Sequence, residues 1–425
     1  MARRTTTHAY FSNWWERCRW AAFSATAKSA RCRARPISTV TPVRSGCSGH
    51  ARSLAPPRVR YDEGVMRLLL LVLLLSIGLA ACARVVPTAT PPPTPTATPA
   101  LPPVTLPGDE APHGHGVEWW YWNVQFSSDA SPRYALHYVV FRVRDPNSGR
   151  TLHVAQVGLG DTATGTFTSA ERLATLREID EPRFGFEVTA GDWLLASTSE
   201  GYRLRGEAGS TRFDLLLRDA GRPMLHDGDG IVDFGEAGQS AYYTRPRLET
   251  EGTVAAGGGE ASPVRGLGWL DKQWGDFSPV AVHWDWASVQ LRDGRSLMLT
   301  RLETADGRPV QTYGSFMQSP DGETRHLTAS DFHFAPQADS PTWQSPATGA
   351  LYATEWEVAY PAEGIWLVLR PLVQASEFRS GTLGVTYWEA GMTAHDLRGG
   401  APSAEPIGQG FVELTGRAPS PFTGR

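Results

Sequence analysis

The fold of this chain is decided by Trp269-Leu-Asp-Lys-Gln-Trp-Gly275 and by the aromatic stretch that follows it, His283-Trp-Asp-Trp-Ala-Ser-Val-Gln-Leu291. An earlier stretch, Glu118-Trp-Trp-Tyr-Trp-Asn-Val-Gln-Phe126, has the pattern of the second one. When Glu118 is aligned with His283, Trp119 falls on Trp284 and Gln125 falls on Gln290. The copies lie 165 residues apart, which is the length of one domain. The sequence therefore predicts a duplicated β-barrel, with any chemistry in the second aromatic copy.

The rest of the folded part consists of short runs in which aromatic, β-branched and polar residues alternate. Tyr134–Arg142 is one such run, and the turn residues Asp145–Gly149 follow it. No window of comparable length keeps the helical period. Many strands at this spacing are typical of a sandwich or barrel, and closed barrels such as lipocalins leave no exposed edges. The glycine-rich segment Ala255–Glu260 predicts the boundary between two barrels, at 109–257 and 262–418.

The start of the chain resembles neither barrel. Met66 and Arg67 precede an apolar run that ends at Leu79-Ala-Ala-Cys82, the pattern of a secretory signal. The sequence resembles a bacterial lipobox, so we expect residues 66–82 to be a lipoprotein signal and Cys82 to be lipidated. Residues 1–65 then become a misannotated or disordered extension. The alternative is a transmembrane anchor, although this run is short of the roughly 20 apolar residues that a spanning helix needs.

A linker at 83–108, rich in Pro and Thr, cannot bury a core and favours extended conformations. Residues 1–65 carry a net charge of +9 and Arg67 adds one, so residues 82–425 carry −14. This acidic balance argues against nucleic acid as a partner. Cys82 is the only cysteine beyond the signal, which excludes an intrachain disulfide. The predicted protein is exported and anchored to a membrane in the cell envelope.

Three boxes resemble the AttH/CrtC-type family of carotenoid 1,2-hydratases and predicted secreted hydrolases. They are Glu118-Trp-Trp-Tyr121, Tyr242-Tyr-Thr-Arg-Pro-Arg-Leu248, and the Trp269–Gly275 stretch with Trp284-Asp-Trp286. The resemblance covers roughly residues 110–418 and implies two tandem lipocalin-like barrels. It also implies water addition to a carbon–carbon double bond of a carotenoid, without a cofactor. The Trp-Leu-Asp-x-x-Trp-Gly form of the third box is similar to the secreted branch.

Hydrating an alkene requires an acid that stays protonated, and π faces or carboxylates that stabilise a carbocation. Asp271 stands between two tryptophans in sequence and is the candidate acid. His283 is the candidate that positions the water or relays the proton. Structural alternatives are a hydrogen-bonding role for Asp271 and a barrel-rim position for His283.

The predicted substrate-binding surface is aromatic, and the alternative is that these residues form an ordinary core. It comprises Trp269, Trp274, Trp284, Trp286, Trp120 and Tyr121. Glu118 is expected to form a buried, fold-stabilising ion pair with Arg142 or Arg247. His113-Gly-His115 lacks a third ligand, so no metal site is predicted.

These residues leave three hypotheses. The first is an enzyme that hydrates, or otherwise acts on, a long apolar substrate such as a carotenoid. The second is a carrier of lipid or pigment that uses the same surface without chemistry. The third is a structural or interaction lipoprotein.

Overall fold

The computed structural model describes residues 100–129, 133–144, 148–178, 185–279 and 281–418. Within them the chain is almost entirely antiparallel β-structure, with short 3-10 helices at Gly108–Glu110, Gly235–Ala237 and Pro361–Glu363. Two curved sheets follow each other along the chain and form one nearly closed barrel and one half-barrel. The all-β class with two tandem lipocalin-like units is confirmed.

The predicted extension 1–65, the signal 66–82 with Cys82, and the linker up to residue 99 lie outside the described residues. None of the helices in the described part of the chain is long and apolar enough to cross a bilayer.

The first sheet has 13 strands. They are β1 (Val117–Ser127), β2 (Tyr134–Arg144), β3 (Thr151–Asp161), β4 (Thr166–Leu173), β5 (Thr175–Glu178), β6 (Phe186–Ala190), β7 (Trp193–Thr198), β8 (Gly201–Ala208), β9 (Thr211–Asp219), β10 (Met224–Leu225), β11 (Ile231–Asp233), β12 (Gln239–Ala255) and β13 (Ser262–Gly275). Their order is β4-β3-β2-β1-β13-β12-β9-β8-β7-β6-β5, and β10 and β11 also pair with β12. Arg172 on β4 reaches the carbonyl of Ala190 and the carboxylate of Glu207 on β8. The sheet therefore curls back on itself.

The second sheet has 10 strands, and a separate hairpin accompanies it. The strands are β14 (Val282–Leu291), β15 (Ser296–Thr304), β16 (Pro309–Met317), β17 (Thr324–Thr328), β18 (His333–Pro336), the hairpin β19 (Thr342–Gln344) and β20 (Leu351–Ala353), β21 (Trp356–Tyr360), β22 (Ile365–Pro371), β23 (Glu377–Arg379), β24 (Thr386–Asp396) and β25 (Gly408–Thr415). The sheet order is β17-β16-β15-β14-β25-β24-β22-β21-β18, with β23 beside β24.

The two faces of strand β1 contribute side chains to two different hydrophobic clusters. Successive strand side chains point to opposite faces. Trp120, Trp122 and Val124 therefore point into the core of the first barrel, whereas Tyr121 lies in a second cluster between the sheets. Both faces are buried, which explains a nearly continuous run of aromatic and β-branched residues.

The second cluster is an apolar layer between the two sheets, which we call the inter-sheet layer. Its buried members from the first sheet include Tyr121, Tyr242 and Trp269, and those from the second include Trp286 and Tyr313. Two glutamines related by the 165-residue repeat join the two sheets across this layer through hydrogen bonds. Each donates to two backbone carbonyls of the opposite sheet at 2.7–2.9 Å: Gln125 to Met392 and Gly410, and Gln290 to Pro246 and Gly268.

The division between the sheets differs from the predicted boundary at 257–262. Strand β13 pairs with β1 and β12 along its length, so Trp269–Gly275 belongs to the first sheet. The chain passes to the second sheet only after Gly275. The glycine-rich segment instead forms the tight connection between β12 and β13, where Gly257 and Gly258 have positive φ, a conformation that glycine adopts without strain.

Candidate active site in the inter-sheet layer

Asp271 places its carboxyl group in the inter-sheet layer. Tyr242 donates a hydrogen bond to Oδ2 at 2.6 Å, Trp269 donates to Oδ1 at 2.8 Å, and the Thr244 hydroxyl also donates to Oδ1. Burial raises the pKa of Asp271 to about 7, although the three hydrogen bonds favour the ionised form and offset part of the rise. A carboxyl group with this pKa can give or take a proton near neutral pH.

Two glutamates of the second sheet, the buried Glu389 and the half-buried Glu413, place their carboxyl groups in the same region. Glu389 on β24 and Glu413 on β25 are register partners. Burial raises the pKa of Glu413 to about 7; burial and the charge of Glu413 raise the pKa of Glu389 well above its ordinary value. The charge of Asp271 raises the pKa of both glutamates, so the three carboxyl groups interact. We call them the acid cluster.

Each glutamate has its own hydrogen-bonding partners. Tyr121 donates to Oε1 of Glu389, and Nδ1 of His137 lies 3.2 Å from Oε2. The indole of Trp284 donates to Glu413 at 2.9 Å. The imidazole ring of His137 packs directly against Gly158. A larger residue at position 158 would clash with it, since an added Cβ would lie 2.3 Å from the ring. Burial lowers the pKa of His137 to about 3, so it is a neutral partner.

The sequence repeat explains why these groups meet. Tyr121 and Trp286 are 165 residues apart, and each lies beside an acid of its own sheet: Tyr121 opposite Asp271, and Trp286 opposite Glu413. Each then reaches across the layer. Tyr121 donates to Glu389, and Trp286 donates at 3.2 Å to the hydroxyl of Tyr242, which holds Asp271. The acid cluster is thus built from equivalent positions of two copies.

The predicted aromatic surface is divided by strand alternation. Four of its six members lie in or against the inter-sheet layer: Trp269, Trp284, Trp286 and Tyr121. Trp120 lies instead in the core of the first barrel, with the ammonium group of Lys272 at 3.6 Å from its ring. Trp274 packs in another cluster with Tyr243, and the His113 ring stacks on it at 4.0 Å. Trp120 and Trp274 are therefore separated from Asp271.

His283 does not join the acid cluster. It lies on the opposite face of β14 from Trp284 and Trp286 because side chains alternate along a strand. Its ring lies against Gly416, where an added Cβ would come within 2.1 Å. Burial and then the nearby Arg417 lower its pKa. The expected partnership between His283 and Asp271 is not present in this geometry.

The buried ion pair of Glu118 has a different main partner from those predicted. Lys272 contacts the carboxylate directly, and both side chains are fully buried. His113 adds its backbone N–H and its ring at 2.9 Å. Of the predicted partners, Arg142 lies at 3.9 Å, whereas Arg247 donates to a backbone carbonyl of β14 and does not contact Glu118.

Histidines 113 and 115 are engaged by carboxylates, His113 by Glu118 and His115 by Asp276. Among the described residues no group of three or more His, Cys, Asp or Glu side chains is arranged to hold a metal ion.

The AttH-like family model matches residues 97–417. The chain belongs to the AttH-like family. A crystal structure of an AttH protein from Nitrosomonas europaea is 27% identical, covers 76% of this chain and 100% of its own, and superposes with a TM-score of 0.64. These matches confirm the resemblance seen in the three sequence boxes.

Two proteins similar to this AttH-like protein are named for the addition or removal of water. Kievitone hydratase from Nectria haematococca shares the fold at 17% identity, with a TM-score of 0.56 and coverage of 75% of this chain and 95% of that one. The dehydratase asqC of Emericella nidulans is 24% identical over 171 residues, which are 38% of this chain and 46% of the fungal protein. This chain thus spans about half the length of that curated relative.

The sequence of this AttH-like protein indicates Asp271 as a candidate acid but does not indicate most of the residues that surround it. Glu389, Glu413 and His137 stand in ordinary alternating strands and belong to no box. His226 opens an Asp-Gly-Asp-Gly segment typical of an exposed turn, yet its side chain is completely buried. Glu413 is placed opposite Trp286 as Asp271 is placed opposite Tyr121, but this equivalence depends on strand pairing, which no short stretch of sequence contains.

Proposed function

We propose that this protein is a hydratase or dehydratase that adds water to, or removes it from, a carbon–carbon double bond of an apolar substrate. The observation that carries the proposal is Asp271. Its carboxyl group is buried among aromatic rings and has a pKa of about 7, close to neutral pH. Such a group can be protonated when substrate binds and ionised after it has given its proton.

In the hydration direction the Asp271 O–H protonates one carbon of the double bond, using the π electron pair to form the new C–H bond. The other carbon becomes a carbocation, which the rings of Trp269 and Trp286 stabilise through their π faces. Water attacks this carbon. Its released proton passes to the carboxylate form of Glu413, whose pKa is about 7, and proton exchange with Asp271 then restores the acid form of Asp271. The net change is the alkene plus one water, and dehydration is the same path reversed.

The relatives named kievitone hydratase and dehydratase asqC support this class of reaction. The aromatic character of the inter-sheet layer supports an apolar substrate. Within this class we propose a long substrate of the acyclic carotenoid type, as the three sequence boxes imply.

We further propose that the protein is held in the cell envelope by a lipid on Cys82, supported by the sequence Leu79-Ala-Ala-Cys82. Labelling of cells with a tagged fatty acid tests the anchor, and Cys82→Ser should lose the label. A labelled Cys82→Ser protein would refute this site of attachment.

The reaction is tested by incubating the purified protein with a lycopene-type carotenoid and measuring a mass gain of one water. Asp271→Asn should reduce product formation by at least about 100-fold, the usual contribution of a general acid. Asp285→Asn is the matched control. Asp285 is also a buried aspartate with a raised pKa, but it lies on the other face of β14 and pairs with Arg417. Equal loss in both variants would argue against Asp271 as the acid.

A carrier without chemistry is the second candidate, and one observation favours it. The Asp271 carboxylate already accepts hydrogen bonds from three protein groups, which is also how a purely structural buried carboxylate is held. A carrier binds the carotenoid, forms no hydrated product, and keeps its affinity in Asp271→Asn.

A further inference from the structure

We infer that His226 is the positioning residue for Asp271: it orients the Thr244 hydroxyl as a hydrogen-bond donor to the carboxyl group and ties that group to the second sheet through Ser315. The inference rests on the proposed function in one respect, the role of Asp271 as an acid. His226 itself does not touch the reacting atoms.

The contacts of His226 are complete on both ring nitrogens. Nε2 lies 2.8 Å from the hydroxyl oxygen of Thr244, and Nδ1 lies 2.8 Å from that of Ser315 on β16. The imidazole ring also packs on the ring of Tyr242, with centroids 3.9 Å apart. His226 therefore contacts two of the three groups that donate to Asp271, and it does so from a fully buried position.

The hydrogen bonds that link Ser315, His226, Thr244 and Asp271 have one consistent arrangement of protons. The Thr244 hydroxyl has a single proton, which it donates to the Asp271 carboxylate, so its oxygen accepts from His226 Nε2–H. Nδ1 is then unprotonated and accepts from the Ser315 hydroxyl. Burial lowers the pKa of His226 to about 3, so the ring stays neutral. Donation thus runs in one direction, from Ser315 through His226 and Thr244 to Asp271.

Other titratable groups lie near this series of hydrogen bonds, and none of them is substituted in the variants of the test. Tyr242, Glu389 and Glu413 interact with Asp271, as does Tyr313 on β16. On the His226 side, His326 lowers the imidazole pKa and lies 3.4 Å from Asp227. None of these groups takes the place of His226 as a hydrogen-bond donor to Thr244.

The arrangement predicts a direction of change. A hydrogen bond donated to a carboxylate lowers its pKa. When His226 no longer fixes the threonine hydroxyl, that bond is lost for part of the time, and the pKa of Asp271 rises further. A residue that only fills space would alter stability without moving this pKa.

The test compares His226→Asn with His226→Gln in the full chain. The Asn amide nitrogen reaches only the place of Nδ1, whereas the Gln amide nitrogen reaches the place of Nε2 and can donate to Thr244. The protonated carboxyl of Asp271 is followed by its infrared carbonyl band, isolated by subtracting the spectrum of Asp271→Asn, as pH is varied. His395→Gln is the matched control, since His395 is also buried and hydrogen-bonded on both nitrogens, outside the acid cluster.

We expect the band midpoint to rise by about half a pH unit or more in His226→Asn and to return towards the wild-type value in His226→Gln. The rate of water addition should fall about tenfold in His226→Asn and much less in His226→Gln. If His226→Asn does not fold, Ser315→Ala provides the same measurement.

An unchanged midpoint in a folded His226→Asn or Ser315→Ala protein overturns the inference, whether or not the protein turns over substrate. A raised midpoint supports the positioning role even in a protein without turnover, and in that case the proposed reaction alone fails.

Discussion

Replacing Lys272 with Met should destabilise the protein far more than a change at a surface ion pair. Lys272 and Glu118 are both fully buried and in direct contact. Burial lowers the pKa of Lys272 to about 8, while Glu118 favours its charged form. For Glu118, burial raises the pKa, but Lys272 and His113 together lower it below its ordinary value. Each charge is therefore tolerated only because the other is present.

Removing one member of a buried ion pair costs about 3–5 kcal/mol, because the remaining charge loses its compensation. In Lys272→Met the carboxylate of Glu118 keeps the two hydrogen bonds from His113 and the more distant Arg142. We therefore expect a loss near the lower end, about 3 kcal/mol. The substitution removes the ammonium group together with its contact to the Trp120 ring at 3.6 Å, and methionine keeps an apolar side chain of similar length.

The assay is urea unfolding of the full chain, followed by tryptophan fluorescence. The double variant Glu118→Gln/Lys272→Met leaves no unpaired charge and should be more stable than Lys272→Met alone. Arg218→Met is the surface control: Arg218 pairs with Glu200 and Glu251 in exposed positions, so its urea midpoint should stay near wild type. A loss below about 1 kcal/mol in Lys272→Met, or strictly additive effects in the double variant, would refute the reasoning.

Two further predictions concern the inter-sheet layer. The pKa of Asp271 is near 7 when folded and 3.8 by its ordinary value, so between these pH values the native state holds a proton that the unfolded state releases, and stability falls as pH rises. Asp271→Asn should weaken this fall, as measured by urea midpoints at pH 4, 5.5 and 7; identical pH profiles in both proteins would contradict it. Gln290→Ala leaves the buried carbonyls of Pro246 and Gly268 without their donor and should cost about 2–4 kcal/mol. Gln344→Ala is the control, because the Gln344 side chain donates one exposed hydrogen bond, to the Gly349 carbonyl. Equal losses of stability in the two variants would contradict the role of Gln290 in joining the two sheets.

The local features of this fold were predictable because strand alternation is a local property. The repeat between Glu118 and His283 predicted two copies, and the equivalent glutamines Gln125 and Gln290 fasten the copies to each other in equivalent ways. Asp271 was a candidate from its two flanking tryptophans alone. In the structure only Trp269 donates to it, since Trp274 has the opposite parity along the strand.

The assignment of strands to sheets was less predictable. The glycine-rich segment 255–260 suggested a domain boundary, but a short glycine connection also joins neighbouring antiparallel strands. The pairing of β13 with β1 depends on hydrogen bonds between residues about 150 positions apart. It places Asp271 in the first sheet and its carboxyl group against the second.

The sequence by itself determined the all-β class, the duplication and the family, and it supplied one candidate acid. Only the tertiary structure decided that Glu389, Glu413 and His226 gather around Asp271, that His283 faces away, and that Lys272 rather than Arg247 neutralises Glu118. The physical reason is that alternation fixes which face a side chain occupies. The partner across that face is chosen by the packing of the whole chain, which no short stretch contains.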